Sequence, residues 1–186
     1  MKRFIMSILL IVFLSGCHAK NNEMERVLDM RRELNSGVEC TYDALITADY
    51  GDKLYLFTLK CQVNNMGNLS FVVEEPKSIA GVSGNVNAET GTLTFDDKIL
   101  TFSLLADGQV TPVSAPWIMM ETLRGGYIKS CGKDDALFRV VFDDSYEEEP
   151  IQVDIWFDEN NHPVNADFLW QGHRIITMEI KNFRYL

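Results

Sequence analysis

The chain predicts an α+β protein built on one strongly curved antiparallel sheet, and three observations carry that reading. From Val38 onward, most of the sequence alternates apolar and polar residues with period two, the pattern of strands with one buried face. Only residues 23–34 and 117–129 show apolar residues at helical spacing. Neither stretch belongs to a strand–helix–strand alternation, so the strands follow one another through short turns and pair antiparallel. About nine or ten strands and two helices are expected on this pattern. A hydrophobic content of 46% and an aromatic content of 11% supply a core and exclude a disordered chain.

The clearest local prediction is a hairpin over residues 38–63. Two alternating runs flank the polar turn Asp49-Tyr50-Gly51-Asp52. Folding back on that turn sets Val38 against Val63, Cys40 against Cys61, Tyr42 against Leu59, Ala44 against Phe57 and Ile46 against Tyr55. Directly opposed residues of an antiparallel pair lie about 4.5–5.5 Å apart at Cα, within reach of a disulfide, so this register favours a Cys40–Cys61 bridge.

The rest of the chain follows in order. Residues 23–34 form an amphipathic helix through Met24, Val27, Leu28, Met30 and Leu34, capped by Asn22 and ended by Asn35-Ser36-Gly37. Its mixed charges favour packing on the sheet over lying on a membrane. Residues 69–74 resume alternation until Pro76, and a glycine-punctuated extended segment crosses residues 79–84. Residues 91–95 and 99–105 make a second hairpin over Asp96-Asp97-Lys98. Ser114 and Pro116 open the second helix, whose stripe is Trp117, Met120, Leu123 and Tyr127, with Gly125-Gly126 as its weak point. Strands are expected at residues 136–142, 151–157, 164–170 and 174–183, with a turn at Gln171-Gly172.

The start of the chain reads as an export segment. Lys2 and Arg3 precede an apolar run over residues 4–14, too short for a stable span, that ends in Leu14-Ser15-Gly16-Cys17. That ending resembles the bacterial lipobox, which implies a diacylglyceryl group on Cys17 and cleavage before it. The expected organisation is a signal peptide at 1–16, a polar tether at 17–22 and one domain at 23–186, held outside the bacterial membrane by the lipid on Cys17. Loss of Lys2 and Arg3 takes the formal charge from -10 to -12. That acidity argues against nucleic acid as a partner.

Phe71-Val-Val-Glu-Glu-Pro76 running into Ile79-Ala-Gly-Val82, Gly91-Thr-Leu-Thr-Phe95, and the ending Trp170-Gln-Gly-His-Arg-Ile-Ile-Thr-Met178 to Phe183 resemble the lipoprotein-carrier superfamily of LolA, LolB and RseB. Its lipobox-bearing Gram-positive branch, the GerS-like germination lipoproteins, is the nearer resemblance. The resemblance implies a half-barrel wrapped around helices with an apolar cavity between them. Tyr42, Tyr55, Phe57, Leu59, Phe71 and Phe95 would line its concave side, and Trp117, Met119 or Met120, and Leu123 would face them from the second helix. Packed core and ligand cavity are equally compatible with these residues. The expected function is a non-enzymatic tethered lipoprotein that binds an apolar ligand or lipid-linked molecule. The alternative is a lipoprotein that activates or localises an envelope enzyme by protein contact.

Catalytic and metal chemistry find little footing. His18, His162 and His173 sit in the tether or in turns, and no nucleophile motif accompanies them. The acidic turns at residues 143–149 and 158–160 lack the spacing of a calcium loop. The odd set Cys40, Cys61 and Cys131 has no Cys-x-x-Cys pair, against zinc, and no cofactor is expected. A Cys40–Cys61 bridge would contribute roughly 3 kcal/mol and leave Cys131 free. Cys61 with Cys131 is the rival pairing.

Overall fold

The structure is a computed structural model and describes residues 18–51, 53–102, 105–106, 109–145 and 150–186. The segment expected as a signal peptide, and Cys17, lie outside the described residues. Helix α1 (His18–Asn35) leads into β1 (Cys40–Asp49), β2 (Leu54–Val63) and β3 (Leu69–Glu75), then a 3-10 turn (Lys77–Ile79). Strands β4 (Ser83–Val86), β5 (Gly91–Phe95) and β6 (Lys98–Phe102) follow, with a small ribbon of β7 (Leu105–Ala106) and β8 (Gln109–Val110). Helix α2 (Ala115–Gly125) precedes β9 (Tyr127–Asp134), β10 (Leu137–Asp143), β11 (Gln152–Phe157), β12 (Pro163–Trp170) and β13 (His173–Tyr185). The residues expected as a tether from His18 to Asn22 are thus already helical.

One 11-stranded sheet has the order β6-β5-β4-β3-β2-β1-β13-β12-β11-β10-β9. Two meanders therefore run outward from the central β1–β13 pair, where the ends of the domain are zipped together. All neighbours pair antiparallel, the sheet stays open at both edges, and it curls around the helices as a half-barrel. The α+β expectation holds, with one strand more than the upper count and the ribbon besides.

Turn chemistry fixes the connections. Asp96 and Asp97, at φ 49° and 59°, make the two-residue turn between β5 and β6, so that Lys98 begins a strand instead of ending the turn. Gln171 and Gly172, at φ 48° and 80°, do the same between β12 and β13. In the β11–β12 turn the Asp158 carboxylate accepts from the backbone N–H groups of Asn160 and His162.

Two expectations are corrected. The second helix stops at Gly125, and residues 127–129 belong to β9, an edge strand that helical spacing had absorbed. Gly126 is extended at φ -60° and ψ 156°, and its N–H bonds Thr122 O at 2.8 Å. The β1–β2 register is also displaced by two residues. Cys40 faces Val63, Tyr42 faces Cys61, Ala44 faces Leu59, Ile46 faces Phe57 and Ala48 faces Tyr55. The turn moves to Tyr50–Lys53, closed by the Tyr50 N–H to Lys53 O bond. A slip of two residues keeps every side chain on its face, so the hydrophobic pattern cannot tell the two registers apart.

Candidate functional site

The inner face of the sheet is where the helices pack, and it divides into a filled part and an uncovered part. In the filled part Tyr42, Leu59 and Phe71 are buried on the sheet, and Met119, Met120 and Leu123 are buried on α2. Tyr42 donates its hydroxyl to Pro116 O at 3.0 Å, tying β1 to the first turn of α2. Trp117, half-buried, donates its indole N–H to Gly67 O at 3.1 Å and fastens the β2–β3 loop to the same helix. Arg31 of α1 closes the other end of α2, bonding Leu123 O at 2.9 Å and Gly126 O at 2.7 Å. Arg26 bonds Asn161 Oδ1 at 2.7 Å and Asp158 O at 3.0 Å, which fixes α1 to the β11–β12 turn. Phe71 reaches into this core across Gly84, where a Cβ would stand 2.5 Å from its ring.

The uncovered part lies along the far ends of β2, β5 and β6. Tyr55 is 41% exposed, Phe95 60% and Leu100 64%. Tyr50, Tyr55 and Phe57 form a ladder of rings with centroids 6.1 and 6.5 Å apart. The Tyr50 hydroxyl donates to Val110 O at 3.0 Å, fixing the ladder to β8. Leu93 and Leu100 are paired across β5 and β6 and share the inner face with Phe95. One step beyond the Ser83–Thr94 pair brings Phe95 beside Val82, which accepts from the Val73 N–H of β3. Tyr55, Phe57, Leu93, Phe95 and Leu100 thus make an apolar strip with a rigid aromatic side.

Of the nine residues expected to line a cavity, Tyr42, Leu59, Phe71, Met120 and Leu123 are closed into the core. Tyr55, Phe57 and Phe95 stand on the strip, and Trp117 lies half-buried at the loop. Sequence reasoning missed Leu93 and Leu100. The alternation over residues 91–95 and 99–105 placed them on one face, but not which part of that face the helices leave bare.

The cysteines are corrected too. Cys40, Cys61 and Cys131 form no disulfide with one another, and the Cys40–Cys61 bridge is absent because the observed register makes the two diagonal neighbours instead of opposed residues. The rival Cys61–Cys131 bridge is absent as well, since β1, β13, β12, β11 and β10 separate their strands in the sheet. Burial pushes the Cys40 thiol up to about 11 and the Cys61 thiol upward as well, which leaves both as protonated core side chains.

A hollow of about 840 Å³ is on the opposite, outward face. Thr41, Asp43, Lys60, Gln62, Ser70, Asn85 and Arg184 line it, with the Asn182 amide on Asp43 at 2.6 Å and Arg184 on Thr41 at 3.0 Å. It is a saddle of the twisted sheet with a mixed lining, in which Val72, Phe183 and the floor residues Tyr42, Cys61 and Phe71 stand beside the polar groups. Asp154 and Asp167 are opposed across β11 and β12 on that same outer face. Each carboxylate is held by its own arginine, Arg139 and Arg174 respectively. His162 lies tilted against Phe183 and edge-on to Tyr185, with centroids 5.4 and 6.0 Å away. Among the described residues no three His, Cys, Asp or Glu side chains converge as metal ligands, and no helix is long and apolar enough to cross a membrane.

No family model matches the chain, and no curated protein matches its sequence. Among solved structures it is similar to an uncharacterised conserved protein of Thermus thermophilus, at 8% identity, covering 88% of this chain and 87% of that one, with a TM-score of 0.50. The likeness is one of fold. The chain is also similar to a LolA superfamily protein of Nitrosomonas europaea, at 11% identity over 87% of this chain and 93% of that one, with a TM-score of 0.45. A third similar structure is the lipoprotein LppX of Mycobacterium tuberculosis, at 12% identity over 85% and 93%, with a TM-score of 0.44.

Proposed function

We propose that the protein is a non-enzymatic lipoprotein, anchored outside the bacterial membrane through a diacylglyceryl group on Cys17, that holds an apolar ligand or lipid-linked molecule on the inner face of the β2–β6 wing. The observation that carries the reading is the exposure of Tyr55, Phe95 and Leu100 on the inner face, next to the half-buried Phe57 and Leu93, beside an otherwise filled half-barrel. Exposed apolar side chains on the concave face of a sheet are the common ground of small-molecule sites and are otherwise costly to leave in water. The buried members of the expected lining, Tyr42, Leu59, Phe71, Met120 and Leu123, serve as the rigid wall behind the strip. Trp117 stands at the helix side of that wall.

Titration with a fluorescent apolar probe, displaced by fatty acids and phospholipids of graded chain length, tests the reading. Phe95→Ala and Leu100→Ala are expected to weaken probe binding together by about tenfold, in line with the loss of several buried methylene groups. Unchanged affinity in a double variant that keeps the wild-type unfolding midpoint refutes it.

A second reading, contact with an envelope protein that the lipoprotein activates or localises, is favoured by one specific observation. Leu54 and Leu56 are exposed on the outer face of the β1–β2 hairpin tip, beside a hollow of about 330 Å³ lined by Leu45, Thr47 and Thr177. A ligand on the inner face does not reach them. Crosslinking from Leu56 in intact envelopes distinguishes the two, since capture of one defined protein there requires the second reading.

A further inference from the structure

The open sheet ends in two edge strands, and they are built differently. Edge strand β9 carries Lys129 and Lys133 along its length, contains Gly132, and meets β10 through a register shift at Val141/Phe142. Charged side chains and bulges are the devices that keep an edge from recruiting another strand. Edge strand β6 has no bulge and only one charged side chain, Lys98. Its ladder to β5 is unbroken from Gly91–Phe102 to Phe95–Lys98, it contains neither Gly nor Pro, and its one charge is at its first residue. Ile99 is 73% exposed on the outer face, while Leu100 projects on the inner face. An edge of this kind presents a row of unpaired backbone N–H and C=O groups between two apolar surfaces.

We infer that β6 pairs with β6 of a second copy of this chain, antiparallel about a two-fold axis at Leu100, joining two sheets edge to edge. A two-fold contact must be self-complementary, and this strand is. Because side chains alternate, only registers that oppose even-numbered to even-numbered positions keep the two inner faces on one side of the joined sheet. Of these, the register centred on Leu100 is the one that pairs all five residues of β6. It sets Leu100 against Leu100, Lys98 against Phe102 and Ile99 against Thr101, so no like charges meet. The acidic Asp96-Asp97 turns then stand at opposite ends of the new ladder, which keeps their charges apart. The same pairing places Leu100 and Phe95 of both copies on one continuous inner surface. The pairing stands on the edge itself and does not require the ligand reading.

A five-residue ladder falls below the area of a standard stable interface, so the dimer is weak and reversible. Sedimentation velocity of the full chain in detergent, over a range of protein concentration, is expected to show a monomer–dimer equilibrium. Ile99→Lys, which charges the outer face without touching the apolar strip, is expected to weaken it by at least about tenfold. A chain that stays monomeric throughout, or a dimer that survives Ile99→Lys, overturns the proposal. Mild oxidation of single-cysteine variants reads the register: Leu100→Cys is expected to crosslink faster than Ile99→Cys or Thr101→Cys, and the reverse order overturns it. Probe binding retained in monomeric Ile99→Lys separates failure of the dimer from failure of the ligand reading.

Discussion

Arg31 is the side chain on which the placement of α2 depends most directly. Its guanidinium bonds Leu123 O at 2.9 Å and Gly126 O at 2.7 Å, with Thr122 O at the long distance of 3.5 Å. The last carbonyls of a helix have no partner within it, and a cation there also meets the negative end of the helix dipole. Hydrogen bonds from a charged donor contribute about 1.5–3 kcal/mol each, and the half-buried position of Arg31 argues for the lower end. Arg31→Ala is therefore expected to cost about 3 kcal/mol, with the helix-dipole contribution included. For a chain of this size that corresponds to a fall of roughly 10 °C in Tm. Arg31→Lys keeps the charge but not the forked geometry, and is expected to recover less than half of the loss. Urea unfolding followed by circular dichroism measures both. A loss below about 1 kcal/mol for Arg31→Ala, at unchanged m value, would refute the claim that this fork holds α2 in place.

Two further outcomes are expected. Burial holds the Cys40 thiol at about 11 against an ordinary 9.0 and the Tyr185 phenol at about 12 against 10.0, and pushes Cys61 and Tyr42 upward as well. Each of these groups keeps its proton more tightly when folded, so its contribution is complete below the ordinary value and is lost as pH rises through the folded one. Stability in reductant should fall from about pH 9 upward, and Cys40→Ala should remove a share of that slope worth roughly 3 kcal/mol across the window; a flat profile to pH 11 contradicts the assignment. For the proposed anchor, Cys17→Ser is expected to abolish incorporation of a labelled fatty acid and to release the protein from the membrane fraction, and no difference between variant and wild type refutes lipidation at Cys17.

Several parts of this fold are written locally. Gly51 and the polar residues around it make a hairpin turn, and Asp96-Asp97 and Gln171-Gly172 adopt positive φ. Period-two alternation assigned the faces of β1, β2, β3, β10 and β11, because burial on one side of a strand leaves that mark in its own sequence. Turn position was less legible, and the hairpin of β1 and β2 moved by two residues with no change in its pattern. That shift took Cys40 away from Cys61, so a bridge inferred from opposition went with it. Strand β9 was hidden because Tyr127 continues the helical stripe of Trp117, Met120 and Leu123, and only its ladder to β10 shows it as a strand.

The candidate site divides in the same way. The sequence by itself determined which side chains are apolar and which face each occupies, and that was enough to bring Tyr42, Tyr55, Phe57, Leu59, Phe71 and Phe95 to one side of one sheet. Only the tertiary structure decided which of them are covered. Coverage is set by where α2 lands, and that is fixed by contacts distant in sequence: Tyr42 to Pro116, Trp117 to Gly67, and Arg31 to the far end of the helix. A periodicity records that a face avoids water. It does not record whether a helix, a ligand or a second copy keeps the water out.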